Sequence, residues 1–211
     1  MAEEKNRITL TVVILLAFAA LVTGLYVSQH VTLKKKVNFS SFQGTLLKTP
    51  REIEQFSLTG MDNQPFTNQS LQGQWTMIFF GFTNCSYLCP TTLVELSKMH
   101  HLLQEKNINP LPKIVLISID SERDTAERLR QYITAFHPQF YAATGEVEHL
   151  QKMTREMGIV YEKVSTQETG GYDVLHSGSI MLFNPQGQLN AFFTTPHQAQ
   201  HLAQDYKLLV S

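Results

Sequence analysis

The sequence predicts a layered α/β domain preceded by one transmembrane helix. Two observations predict the domain. Short apolar runs typical of buried strands alternate with stretches of helical periodicity, and the chain closes on a strand, a turn and a second strand. A third observation, an uncharged stretch near the N-terminus, predicts the helix. The net charge is −1 and no basic stripe is present, so nucleic acid is not an expected partner.

The uncharged stretch covers residues 8–27, twenty positions, which is about the length that a helix needs to cross the hydrocarbon core of a bilayer. We therefore expect residues 1–7 to form a cytoplasmic N-terminus, residues 28–50 a polar tether and residues 51–211 the folded domain. A cleaved signal peptide with a small-residue site at 17–19 is the alternative. The apolar run continues well past that site, which favours the anchor.

The first half of the domain predicts a hairpin, a strand and a helix. Residues 56–63 alternate apolar and polar positions before a turn signal, as in a short N-terminal hairpin. Residues 75–82 form a compact apolar run, typical of a buried strand. Pro90 suits the first turn of a helix, where its missing N–H costs nothing. Apolar spacing extends that helix to about residue 106 through Leu93, Leu96, Met99, His100 and Leu103.

The second half continues the alternation of strands and helices. Residues 113–120 predict a buried strand, and Asp124 with Glu127 has the spacing of a capping box at the start of the next helix. Gly158 is predicted to end a further helix. The remaining segments are a short strand at 159–164, a polar loop at 167–177 containing Gly170 and Gly171, a strand pair at 179–183 and 189–193, and a last helix that opens at Thr195 and Pro196.

The two cysteines of the chain, Cys85 and Cys89, lie between the first long strand and the first long helix. Positions four residues apart are neighbours on a helix, so the two sulfurs converge near the helix start, where the thiol pKa is lowered. Such a pair either closes a disulfide or binds a soft metal ion, and the spacing leaves both open. The order of strand, cysteine pair and helix is that of a thioredoxin-like fold.

Five segments occur in a recognisable order over about residues 50–200: FFGFTNCSYLCP, SIDSERDTAERLRQY, ATGEVEHLQKM, YDVLHS and NPQG. Together they resemble the Sco/SenC family of membrane-anchored copper chaperones. The resemblance implies that Cys85, Cys89 and His176 bind copper, both as Cu(I) and as Cu(II), since thiolates and imidazole suit these ions. Tyr87 and Leu175 depart from the family pattern, which has carboxylates at both positions.

The resemblance implies a copper metallochaperone that receives copper from donor proteins and delivers it to the dinuclear copper centre of cytochrome c oxidase subunit II. The alternative is a thiol–disulfide oxidoreductase that reduces the cysteines of that centre, with Cys85 attacking and Cys89 resolving. The three-residue spacer argues against a general reductant, because such enzymes carry two residues between their cysteines. A thioredoxin-like peroxidase is disfavoured by the paired cysteines and by His176.

Thiol and copper chemistry favours a compartment outside the cytoplasm. The acidic N-terminus does not resemble a mitochondrial transit peptide. We therefore expect a monomer with a single pass through the bacterial inner membrane, its soluble domain facing the periplasm. The lysines at 34–36 weigh slightly against this orientation.

Other residues that could bind a metal have simpler interpretations. His197 and His201 have helical spacing but no third donor nearby in sequence, which predicts a solvated face. Met153 and Met157 have the spacing of a core stripe. For Asp124, helix capping explains the residue better than a carboxylate pair with Asp120.

Overall fold

The computed structural model describes residues 13–24, 41–165 and 172–210. Residues 13–24 are helical and form α1, inside the predicted anchor. None of the helices within the described residues is both long and apolar enough to cross a membrane. The two ends of the predicted anchor, at 8–12 and 25–27, lie outside the described residues.

The chain divides into two compact units, Met1–Asn38 and Phe39–Ser211. The predicted N-terminus 1–7 and residues 28–40 of the predicted tether lie outside the described residues. The end of that tether is not a linker, because Thr45–Arg51 forms a strand that pairs antiparallel with a later one. This pairing satisfies the backbone hydrogen-bonding groups of the segment. The polar composition of the segment did not indicate a strand.

The second unit contains ten strands in its described residues: β1 Thr45–Arg51, β2 Ser57–Gly60, β3 Pro65–Thr67, β4 Thr76–Gly81, β5 Lys113–Ser118, β6 Tyr141–Thr144, β7 Tyr161–Ser165, β8 Tyr172–His176, β9 Ile180–Phe183 and β10 Leu189–Phe193. Its α-helices are α2 Leu88–Glu105, α3 Ala126–Thr134, α4 Val147–Glu156 and α5 Ala199–Val210. Eight strands form one sheet in the order β1-β10-β9-β4-β5-β6-β2-β3, and β7 with β8 forms a second.

The centre of the main sheet is built from parallel crossover units. Strand β4 pairs parallel with β5, and β5 pairs parallel with β6, with α2 and α3 as the connecting helices. Every residue of β4 is buried, as expected for a central strand that is covered on both faces. The apolar run at 75–82 therefore predicts its position correctly, and the predicted N-terminal hairpin is confirmed as β2 and β3.

A side chain of α2 caps the start of α5, and a glycine ends α4. The Glu95 carboxylate on α2 accepts a hydrogen bond from the backbone N–H of Ala199 at 2.8 Å, at the start of α5. This contact satisfies one of the backbone donors that a helix start leaves free. At the end of α4, Gly158 adopts a φ of 68°, a conformation that glycine takes without strain. The helix end predicted from Gly158 is confirmed.

Strand pairing brings three segments to one edge of the sheet. Gly81, the last residue of β4, lies opposite Ser118, the last residue of β5. Strand β9 runs antiparallel to β4, with Ile180 opposite Phe79. The segments that follow β4 and β5 and the segment that precedes β9 therefore converge. These segments carry the cysteine pair, the SIDSERD sequence and His176.

One prediction about the segment before β9 needs correction, and one strand of the main sheet was not predicted. Residues 172–176 form strand β8 and not the end of a loop, because they pair in register with β7 over Tyr161–Ser165. Leu175 is exposed and interrupts the expected alternation, which concealed the strand. Residues 167–171 of the predicted loop lie outside the described residues. Strand β6 was not predicted at all, although Tyr141–Thr144 pairs with both β5 and β2.

Candidate metal centre

Cys85 lies in the loop between β4 and α2. Its sulfur accepts a hydrogen bond from the backbone N–H of Cys89 at 3.3 Å. The first N–H groups of a helix have no partner within the helix, and the N-cap residue Tyr87 makes no side-chain cap hydrogen bond. The sulfur of Cys85 therefore caps α2 and lies at the positive end of the helix dipole.

Cys89 belongs to the hydrophobic core, with 0% of its surface exposed. It packs against β4 at Gly81. A Cβ atom at position 81 would lie 2.7 Å from the Cys89 sulfur and 3.2 Å from Leu116 Cδ1, closer than such atoms can approach without displacement. The absence of a side chain at Gly81 thus makes room for the sulfur, and the core fixes its position.

The two thiols differ in their ionisation. A hydrogen bond from the Cys89 side chain is the main cause that lowers the pKa of Cys85 to about 4. The same contact, together with burial, raises the pKa of Cys89. Cys85 is therefore the thiolate at neutral pH, and Cys89 is the protonated donor. Both cysteines are free in this structure.

His176 ends strand β8 and faces the cysteine pair. Its ring packs against two core aromatics, with centroids 5.7 Å from Phe82 and 6.0 Å from Phe79. Its Nδ1 lies 3.2 Å from the carbonyl oxygen of Ser177. A carbonyl group only accepts hydrogen bonds, so the proton of a neutral imidazole is assigned to Nδ1 and the lone pair of Nε2 faces the sulfurs.

The three side chains converge on one point. His176 Nε2 lies 3.9 Å from Cys85 Sγ and 3.4 Å from Cys89 Sγ, and all three atoms lie within 4.8 Å of one another. Donors that share one ion at ordinary metal–sulfur and metal–nitrogen distances lie about 3.5–4 Å apart. The observed spacing fits that requirement. Two soft sulfurs and an imidazole nitrogen form a donor set that can bind copper.

A buried carboxylate fixes the loop that carries Cys85. Asp124 accepts hydrogen bonds from the Thr83 backbone N–H at 2.9 Å, from the Thr83 hydroxyl at 2.5 Å and from the Ser118 hydroxyl at 2.6 Å. Arg128 donates to the Thr83 hydroxyl and to the side chain of Asn84. Asp124 and Arg128 therefore hold the backbone just before Cys85.

The predicted capping role of Asp124 is wrong. The N-cap of α3 is Thr125, whose hydroxyl accepts from the Arg128 backbone N–H at 3.2 Å. Asp124 is fully buried, and its oxygens are occupied by Thr83 and Ser118. Sequence spacing alone cannot separate these roles, because Asp124 and Thr125 are both good capping residues.

The other residues considered as metal ligands do not form a donor cluster. His197 lies before α5, and its Nε2 donates to the carbonyl of Gly178 at 2.6 Å. Within the described residues, the group formed by Cys85, Cys89 and His176 is the one set of three or more such donors that lies close enough to hold an ion. Met153 and Met157 are buried in the core, as their spacing predicted.

The surface beside the cluster is partly apolar. Tyr87, which lies midway between the two cysteines in sequence, is 76% exposed. Leu175, which directly precedes His176, is 60% exposed. These are the positions where the resemblance led us to expect carboxylates. No side chain at either position can therefore act as an acidic neighbour of the site.

A thioredoxin-like domain with a thiol–imidazole donor set at the edge of its sheet defines the class of this protein. A family model described as SCO1/SenC matches residues 45–211, and the chain belongs to that family. The resemblance seen in the sequence is thereby confirmed.

Relatives agree with this assignment. A Stutzerimonas stutzeri protein is 36% identical to this chain over 156 residues, which cover 73% of this chain and 76% of that protein. Its name describes it, provisionally, as a copper-binding protein. Copper-bound ScoI of Arabidopsis thaliana superimposes with a TM-score of 0.69 at 30% identity, covering 73% of this chain and 94% of that one. Copper-bound ScoI of Bradyrhizobium japonicum gives 0.65 at 29% identity, covering 73% and 96%.

Proposed function

We propose that this protein is a copper metallochaperone that delivers copper to the dinuclear copper centre of cytochrome c oxidase subunit II. The observation that supports this proposal is the approach of Cys85, Cys89 and His176 to within 4.8 Å of one another. Two thiolates select Cu(I), and the imidazole also accepts Cu(II). Three protein donors leave a coordination position open, through which an incoming ligand can bind before copper leaves.

The partners and the location belong to the same proposal. Copper donor proteins load the site of a monomeric chaperone, and subunit II of the oxidase receives the ion. The uncharged residues 8–27 hold the chain in the bacterial inner membrane, with the domain on the periplasmic side. The family relationship supports the oxidase as the destination, and two copper-bound ScoI structures support copper as the cargo.

Anaerobic Cu(I) titration of the full-length chain, and Cu(II) titration followed by electron paramagnetic resonance, test the site. We expect Cys85→Ala and His176→Ala each to weaken binding at least about tenfold, since each removes one of three donors. The affinity should also fall as the pH is lowered, because the ligands must be deprotonated to bind.

The matched control is His101→Ala, which removes an exposed histidine of α2 that pairs with Glu105. It should leave copper binding unchanged. Copper binding that is equally strong in wild type and in His176→Ala would show that the ligand assignment is wrong.

A second function, thiol–disulfide exchange, is favoured by the asymmetry of the thiols. Cys85 is partly exposed and ionised, whereas Cys89 is buried and protonated. The Cys85 thiolate would attack a disulfide of the recipient and release one recipient thiolate. Cys89, after losing its proton, would attack the Cys85 sulfur and release the second, so two electrons pass to the recipient and this chain keeps the disulfide. Reduction of the recipient that persists in His176→Ala would favour this function.

A further inference from the structure

The hairpin that carries His176 is not part of the main sheet. Strands β7 and β8 pair only with each other within the described residues. On the inner face of the hairpin, Val174 is buried in the core and His176 faces the sulfurs. The outer face is solvated, with Leu175 60% exposed. The position of the imidazole therefore depends on side-chain contacts between the hairpin and the domain.

The most specific of these contacts lies at Tyr172, the first residue of β8. Its hydroxyl donates to the Asp120 carboxylate at 2.6 Å. Arg123 forms an ion pair with the same carboxylate, donates to the Tyr172 carbonyl at 3.0 Å, and places its guanidinium 3.9 Å from the centre of the Tyr172 ring. Asp120 is fully buried. We call Asp120, Arg123 and Tyr172 the latch.

The latch shares its segment with the residue that holds the cysteine loop. Asp120 and Arg123 contact the histidine hairpin, while Asp124 contacts Thr83, two residues before Cys85. The residues that hold the histidine hairpin and the residue that holds the cysteine loop therefore lie in one five-residue segment, from Asp120 to Asp124. A buried ion pair and hydrogen bonds within one short segment fix relative positions better than separate surface contacts do.

We propose that the latch positions the His176 imidazole against the two thiols and thereby sets how fast the site releases copper. The copper part of this inference rests on the proposed function, whereas the structural part does not. Asp120, Arg123 and Tyr172 are positioning residues that act through the hairpin. An exposed contact between Lys163 and Glu122 lies beside them and contributes little, because surface ion pairs are weak.

The test is Tyr172→Phe, which removes the hydroxyl and keeps the ring that packs on Arg123. In the copper-loaded full-length chain we expect loss of copper to a competing chelator to become about tenfold faster, the usual effect of losing a hydrogen bond to a charged acceptor. The imidazole nitrogen couplings in the Cu(II) spectrum should weaken, while the sulfur-to-copper charge-transfer band persists. Asp120→Asn weakens the contacts of this carboxylate with both the Tyr172 hydroxyl and Arg123, so it should act at least as strongly.

Tyr141→Phe is the matched control, because Tyr141 donates to a carboxylate of similar geometry, Asp62, at 2.7 Å. That pair joins β6 to the turn between β2 and β3, away from the hairpin. Release rates and Cu(II) spectra in Tyr172→Phe that equal those of Tyr141→Phe would overturn the latch. They would leave the proposed function intact if His176→Ala still alters copper binding.

Hydrogen exchange on the copper-free protein tests the structural part independently. Backbone amides of residues 172–176 should exchange about tenfold faster in Tyr172→Phe than in wild type or in Tyr141→Phe. If copper binding proved independent of His176, this measurement alone would decide whether the latch holds the hairpin. Unchanged exchange would overturn the latch irrespective of the metal.

Discussion

The two segments that supply the candidate ligands are held in the domain in different ways. The cysteine segment leads from a fully buried central strand into α2, and Cys89 lies within the hydrophobic core. The histidine segment is a two-stranded hairpin outside the main sheet. Its outer face carries two exposed apolar side chains, Val164 and Leu175. One segment shares the stability of the whole domain, and the other depends on a few contacts.

This difference suggests how one site can both hold and release an ion. Local opening costs the least free energy where few apolar groups are buried and where backbone hydrogen bonds lie near solvent. By these criteria the hairpin opens before the cysteine segment does. Opening would withdraw the imidazole and leave copper on the two sulfurs, with room for a ligand from a recipient.

The largest effect is expected from breaking the support of the cysteine segment. Asp124→Ala should lower the free energy of unfolding by about 3 kcal/mol, because it leaves the Thr83 N–H and two hydroxyls without their buried acceptor. Urea denaturation of the copper-free protein measures this change. The variant should also lose copper affinity, since the loop before Cys85 is no longer fixed.

Asp62→Ala is the control for that variant. Asp62 accepts from Tyr141 and from the Gln64 backbone N–H, but it lies on the exposed turn after β2. We expect a loss of less than about 1 kcal/mol there. If the two alanine variants were destabilised equally, the cysteine segment would not depend on its buried carboxylate, and the contrast with the hairpin would weaken.

The sequence predicted the rigid segment better than the hairpin. Continuous apolar runs identify central strands, and the spacing of Cys85 and Cys89 around a helix start restricts where both sulfurs lie. His176 could be assigned only through the family resemblance, because the contact joins residues 91 positions apart in the chain. The roles of Asp120 and Asp124 were missed for the same reason. Their partners, Tyr172 and Thr83, lie far away in sequence.

A moderate effect is expected when the donor to Cys85 is removed. The Cys89 side chain is the main cause of the lowered pKa of Cys85, about 4 in the folded protein. In wild type, alkylation of Cys85 should therefore be nearly independent of pH from about 6 to 8, since the thiolate is already formed. In Cys89→Ala the midpoint should move up toward the ordinary thiol value of about 8.5, so that the rate rises with pH over the same range.

Pseudo-first-order alkylation rates of the copper-free protein, measured with mass spectrometry, give this midpoint. His176→Ala serves for comparison, because it removes the imidazole and leaves the Cys89 donor in place. An unchanged profile in Cys89→Ala would mean that the rigid segment does not itself activate Cys85.

The smallest effect is expected at Leu175, on the outer face of the hairpin. Leu175 lies directly opposite Glu162 in the register of β7 and β8. Leu175→Asp introduces the type of residue that the family pattern has there, but it also places like charges opposite each other, which destabilises strand pairing by a few tenths of a kcal/mol to about 1. We expect hairpin amides to exchange up to about fivefold faster and copper to leave slightly sooner, with both changes reduced by salt.

Leu175→Asn, which is polar but uncharged, should resemble wild type. Slower copper loss in Leu175→Asp would contradict this account, because the new carboxylate would then stabilise the bound ion more than it loosens the hairpin.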